Sequence, residues 1–179
     1  MSSRFNILSY VKVKNNIMTY KVEKFLTTSS TNNPTSQTIT TSWSELTGSR
    51  CNLSFKENTA NILYKYSFYT YNIYTNSTNY KKTFIHVKLQ KSNDNFSSNI
   101  VDLPGCQFNF SGDTEQDNDF FYKTCSPFFI VENLDSNYLR LVARSYSSAN
   151  DTKLHRSTFW DGATNADVYY NPTLLVAEL

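Results

Sequence analysis

The run Leu139-Arg140-Leu141-Val142-Ala143-Arg144 repeats with a period of two residues, the spacing of a half-buried β-strand. Leu139, Leu141 and Ala143 fall on one face of such a strand, and Arg140 and Arg144 fall on the other. One face is core and the other is presented. Two further strand-like runs, Thr152–Trp160 and Thr173–Leu179, complete the C-terminal third. They are punctuated by Ser147-Ser148-Ala149-Asn150-Asp151 and by Trp160-Asp161-Gly162. Asp-Gly after a strand is a tight-turn signal, because glycine accepts a positive φ that strains other residues.

The same pattern recurs upstream. In Asn61–Tyr74, Ile62, Tyr64, Tyr66 and Phe68 share one face, and beyond Tyr69 the apolar set moves to Tyr69, Tyr71 and Ile73. A phase change of one residue predicts a β-bulge or a strand that bends between two environments. With 13 Tyr and 13 Phe, the chain has more aromatic residues than a single core of about 140 residues ordinarily buries. Tyr64, Tyr66, Phe68, Tyr69 and Tyr71 are therefore expected to serve both a sandwich core and a contact between subunits. Phe84–Gln90 buries Ile85, Val87 and Leu89 and turns His86 and Lys88 outward.

The polar run Thr27–Gln37 has no large apolar residue and reads as a linker. The expected organisation is thus an N-terminal β-arm at 1–26, a linker at 27–38 and a β-sandwich body at 39–179. The arm presents Phe5, Ile7, Val11 and Val13 on one face. Two strands cannot bury that face alone, so the arm is expected to dock on the body, a neighbouring copy or a partner. The arm carries five cations against Glu23, whereas 102–135 carries seven acids against Lys123. Both stretches are first of all solvated surface. The net charge of +2 makes nucleic acid an unpromising partner.

Three cysteines, Cys51, Cys106 and Cys125, cannot all pair within one chain, which favours reduced, buried thiols. A Cys106–Cys125 bridge across a hairpin remains an alternative, since sequence does not fix the register. The N-terminal residues lack the apolar core of a signal peptide, and no apolar run is long enough to span a membrane. Five Asn-x-Ser/Thr sequons, at Asn52, Asn76, Asn95, Asn109 and Asn150, are what so much Asn, Ser and Thr gives by chance, so they say nothing of secretion.

Glycine occurs only at 48, 105, 112 and 162, which leaves no phosphate-binding loop and no nucleophile elbow. His86 and His155 are the whole histidine inventory and have no partner ligands at metal spacing. Both are expected at a surface or interface, and the cations beside His155 disfavour its charged form. The acidic loop at 111–119 offers Asp113, Glu115, Asp117 and Asp119 as weak calcium ligands, but Asn118 and Thr124 stand where an EF-hand needs Gly and Glu. No cofactor is expected. A small glycan hydrolase would need two carboxylates facing each other across a groove, and is the least favoured reading.

The stretch from Leu139 to Ser148, followed by Lys153-Leu154-His155 and Phe159-Trp160-Asp161-Gly162, resembles a C-terminal motif of virion structural proteins from marine phages and large algal viruses. The resemblance extends loosely to 62–74 and to His86-Val87-Lys88-Leu89. It implies an all-β antiparallel sandwich, a single jelly roll of the tumour necrosis factor type that assembles as a homotrimer. It further implies a non-enzymatic capsid, decoration or spike protein located in the virion, with other capsid proteins as partners. A carbohydrate-binding attachment module with a host-surface glycan as partner is the alternative.

Overall fold

The computed structural model describes residues 24–30, 36–54, 59–72, 81–114, 121–146, 152–158, 167–169 and 171–179. Within them the chain forms β1 (Lys24–Ser30), β2 (Gln37–Thr38), β3 (Ser44–Glu45), β4 (Cys51–Asn52), β5 (Ala60–Asn72), β6 (Lys81–Ser92) and β7 (Val101–Thr114). There follow β8 (Phe121–Cys125), β9 (Phe128–Leu134), β10 (Tyr138–Ser145), β11 (Thr152–Leu154), β12 (Arg156–Thr158), β13 (Asp167–Tyr169) and β14 (Thr173–Glu178). No helix occurs among the described residues, so none is long and apolar enough to cross a membrane.

Every pairing is antiparallel. One sheet is centred on β5, which has β14 and β11 on one edge and β9 and β8 on the other; β1 and β2 flank β14 and β11. The second runs β3–β10–β6–β7, with β4 joining β3 along β10. β12 and β13 form a separate hairpin. The two main sheets pack face to face as a β-sandwich. Ile62, Tyr64, Tyr66 and Phe68 of β5 meet Ile85, Val87 and Leu89 of β6 and Leu139, Leu141 and Ala143 of β10 in one core. Phe68 touches Phe110 of β7 across the gap, ring centroids 6.0 Å apart. The alternation in 139–144 and 84–90 therefore segregates inside from outside as expected.

The structure departs from the sequence reading at three places. The arm–linker boundary at 26/27 falls inside β1, whose Thr27–Ser30 pair with Val176–Thr173 of β14. A polar run can form an edge strand because the ladder is made by backbone groups. β5 does not bulge at Tyr69: Thr70 takes the inward position, fully buried, with its hydroxyl donating to Lys123 O at 3.2 Å. What changes near there is the partners, from β14 and β9 to β11 and β8. The register shift lies instead at Ala60/Ile62, opposite Asn133 in the left-handed region with φ 51°. The strand expected over 152–160 is broken at His155, where φ 63° turns the chain out of the sheet. Cys51, Cys106 and Cys125 are free, buried thiols, the state their odd number favours, and no Cys106–Cys125 bridge forms.

The two open sides of the sandwich are finished differently. On one side the Gln37 side chain donates to Glu45 O and accepts from Thr47 N at 2.9 Å, tying β2 of one sheet to β3 of the other. Tyr64 and Tyr66 donate their hydroxyls to Ser49 O and Thr47 O, and Ser49 Oγ is linked to both Leu141 O and Leu141 N. On the other side the edges of β7 and β8–β9 leave a groove of about 540 Å³.

Candidate functional site

Strand alternation that points Leu139, Leu141, Ile85, Val87 and Leu89 inward must point their neighbours outward. The ladders place Arg144 opposite His86 and His86 opposite Asn109; they also place Val142 opposite Lys88 and Lys88 opposite Gln107. Arg140 lies opposite Gln90, which lies opposite Asp102. Trp43, just before β3, flanks this grid. Lys88 Nζ sits over the Trp43 ring at 4.1 Å and the Arg144 guanidinium at 4.8 Å, and the His86 ring meets the indole edge-on at 4.9 Å. Such cation–π contacts contribute about 0.5–2 kcal/mol each and fix the rings in place.

Most charge on this face is cancelled locally. Glu45 pairs with Arg50 and, at 3.1 Å, with Arg140, whose guanidinium also lies 4.2 Å over Phe96. Lys88 pairs with Asp102 at 2.6 Å, and Gln90 donates to the same carboxylate at 2.7 Å. Burial opposes the charge on Asp102, but the Lys88 ammonium prevails and holds its carboxyl below the usual value. The exposed Arg144 has no carboxylate within ion-pair distance among the described residues. Beside it stand Phe84, 41% exposed, and Tyr146, 84% exposed, edge to face with centroids 6.5 Å apart. Phe84–Tyr146 and Trp43 thus border one free cation.

The outer face of the β5 sheet is different in kind. Phe128 and Ile130 of β9 are 64% and 42% exposed. Their register partners on β5 are Lys65 and Leu63, which lie opposite Leu175 and Ala177 of β14. Exposed Phe128 and Ile130 with half-buried Leu63 and Leu175 make an apolar stripe across three strands, interrupted by Lys65 and ending at Ala177, which is fully buried.

Of the residues expected at a subunit contact, Tyr64, Tyr66 and Phe68 lie in the chain's own core, at most 3% exposed, and so present no surface to a neighbour. Their hydroxyls or rings already have partners, which is why an apolar row on a central strand turns inward. Tyr69 is half-buried, and the side chain of Tyr71 lies outside the described residues. Asp113 pairs with Lys82 through the backbone of β7, while Glu115, Asp117 and Asp119 lie outside the described residues, as do Trp160, Asp161, Gly162 and the arm residues Phe5, Ile7, Val11 and Val13. Among the described residues no three His, Cys, Asp or Glu side chains are grouped to hold a metal ion.

His155, expected at a surface, is fully buried with neither ring nitrogen hydrogen-bonded. Burial lowers its pKa from 6.5 to about 4. The neutral state expected from neighbouring cations is thus reached by desolvation instead. The thiols are equally quiet: burial pushes Cys51 up to about 12 and Cys125, in the groove wall, up to about 11, so neither is a ready nucleophile. Asp94 accepts from the hydroxyls of Ser92 and Ser98 and from the backbone N of Ser97, Ser98 and Asn99. These bonds hold its carboxyl well below the usual range and shape the β6–β7 turn.

The aromatic–cationic face was missed by sequence reasoning because Trp43, Phe84 and Tyr146 are far apart along the chain. The period-2 pattern did flag Arg144, His86 and Lys88 as outward. No family model, curated protein or solved structure matches the chain.

Proposed function

We propose that this chain is a non-enzymatic virion structural protein, a minor capsid, decoration or spike component that assembles as a homotrimer. The observation that carries this reading is the apolar stripe through Phe128, Ile130, Leu63 and Leu175 on one outer face of the sandwich, where the other face is organised by ion pairs around Trp43. A monomer with such an exposed apolar patch is built to be covered there. The self-contact thus moves from the tyrosine row of β5 to its opposite face.

Strand order supports a jelly roll of the tumour necrosis factor type. β8 and β9 lie along one edge of β5 in a single register, and β3 and β4 lie along one edge of β10. β14 and β11 likewise share the other edge of β5, flanked by β1 and β2, so that with elements on one edge counted as one position the sheets read β1/β2–β14/β11–β5–β8/β9 and β3/β4–β10–β6–β7, and the chain crosses repeatedly between them. A jelly roll likewise joins two such sheets by Greek-key crossings, which is what favours this reading. The resemblance of 139–162 to virion proteins adds the location. The basic excess before β1, with Phe5, Ile7, Val11 and Val13, supplies attachment to another capsid protein.

Mass spectrometry of purified virus particles tests the assignment. The chain is expected in a copy number divisible by three, and its absence from intact particles would overturn the reading. A chain lacking residues 1–23 is expected to stay folded and fail to incorporate, whereas removal of 1–30 also strips β1 from β14.

A further inference from the structure

We infer that the outer face of β10–β6–β7 is a saccharide-binding surface, centred on Arg144, for a sugar that carries a carboxylate. Three features of the face narrow the ligand. First, Arg144 is the cation left over: Lys88 is spent on Asp102, and Arg140 and Arg50 on Glu45. A polyphosphate backbone is held by several uncompensated cations in a row, and among the described side chains of this face there is one, which suits a single anionic group better than a nucleic acid. Second, the guanidinium is braced by Trp43 at 4.8 Å, which leaves its planar fork aimed by a rigid neighbour and suited to bidentate pairing with a carboxylate.

Third, the cation is bordered by exposed rings and amides. Tyr146 lies two residues beyond Arg144 on the chain, a step of about 6.6 Å in extended backbone, and Phe84 stands against it. Exposed ring faces accept the apolar C–H face of a pyranose; in the adjoining rows the exposed Asn109 offers an amide donor and acceptor to its hydroxyls, and Gln107, whose Oε1 lies 2.9 Å from His86 Nε2, offers its amide N–H groups. A protein partner would call for a larger apolar centre with a depleted charge count, which is the character of the opposite face.

The test is calorimetric titration of the full chain with tetragalacturonate, with its methyl ester, and with a short oligothymidylate. The acid is expected to bind saturably and the ester, which keeps the rings and loses the charge, about tenfold more weakly, the worth of one charge-assisted hydrogen bond. Arg144→Gln should bring the acid down to the level of the ester, Arg144→Lys should restore part of the difference, and Tyr146→Ala should weaken both ligands alike; circular dichroism checks that each variant is folded. Equal binding of acid and ester, no effect of Arg144→Gln, or no binding at all would overturn the inference. So would preferential binding of the oligothymidylate with a steep salt dependence. The trimer is read separately, from mass, so failure of this site and failure of the assembly reading are distinguishable.

Discussion

The two outer faces of this sandwich come from strands with the same inward pattern and have opposite surfaces. Behind Ile85, Val87, Leu139 and Leu141 stand Arg144, His86, Lys88 and Arg140, arranged with Trp43 and two carboxylates into a lattice that pairs every cation but Arg144. Behind Phe129, Val131, Leu174 and Val176 stand Phe128, Ile130 and Leu175, apolar and partly in water. The buried half of the alternation specifies that a sandwich forms; it is nearly the same in both sheets. The outward half is where the sheets differ, and so it is where function is written.

Acid separates the two sheets most strongly. His155, at the end of β11 in the β5 sheet, is held neutral by burial, with its pKa lowered from 6.5 to about 4. The unfolded chain therefore binds the extra proton across that interval. Stability from the neutral ring is complete above about pH 6.5 and drains as pH falls towards 4, by up to about 3 kcal/mol. On the other sheet, Lys91 and Lys88 hold the Asp135 and Asp102 carboxyls below 3.8, so their contribution is complete above that value and lost only beneath it. Denaturant titrations across pH should show the upper phase vanish in His155→Asn, a residue that tolerates the local positive φ. An upper phase that survives the substitution would place the titration elsewhere.

Removing the indole from the polar face should cost less. Trp43→Ala loses two cation–π contacts and the edge contact to His86, and a loss of about 2 kcal/mol is expected by chemical denaturation. A change under about 0.5 kcal/mol would mean the lattice is decoration. Smaller again is the polar tie beneath the sheets: Tyr64→Phe leaves Ser49 O without its buried donor and should cost about 1–2 kcal/mol. Tyr146→Phe, 84% exposed, should stay within about 0.5 kcal/mol of the parent, so the pair calibrates core tyrosine against surface tyrosine.

Fold class was legible because period-2 patterning is local: 84–90, 139–146 and 173–179 each declare a strand and its inner face within a few residues. Four things were not. Thr27–Ser30 looks like a linker because its polar side chains hide a backbone that completes the edge of β14. The tyrosine row of β5 was expected to serve the core and a neighbour together, but Tyr64, Tyr66 and Phe68 are wholly consumed inside. Conversely Phe128 and Ile130 sit in the run Phe128-Phe129-Ile130-Val131, in which all four residues are apolar, so no alternation marks which pair faces out. His155 was misplaced for a similar reason: a positive φ, not composition, ends the strand there.

The central claim is that the apolar outer face of β9–β5–β14 is covered by further copies of the chain. Light scattering of the full chain at micromolar concentration measures this most directly, read beside the double variant Phe128→Glu, Ile130→Glu. The account predicts the mass of three chains for the parent and of one chain for the variant, with near-parent circular dichroism. A parent that runs as a monomer, or a variant that remains trimeric, would contradict it.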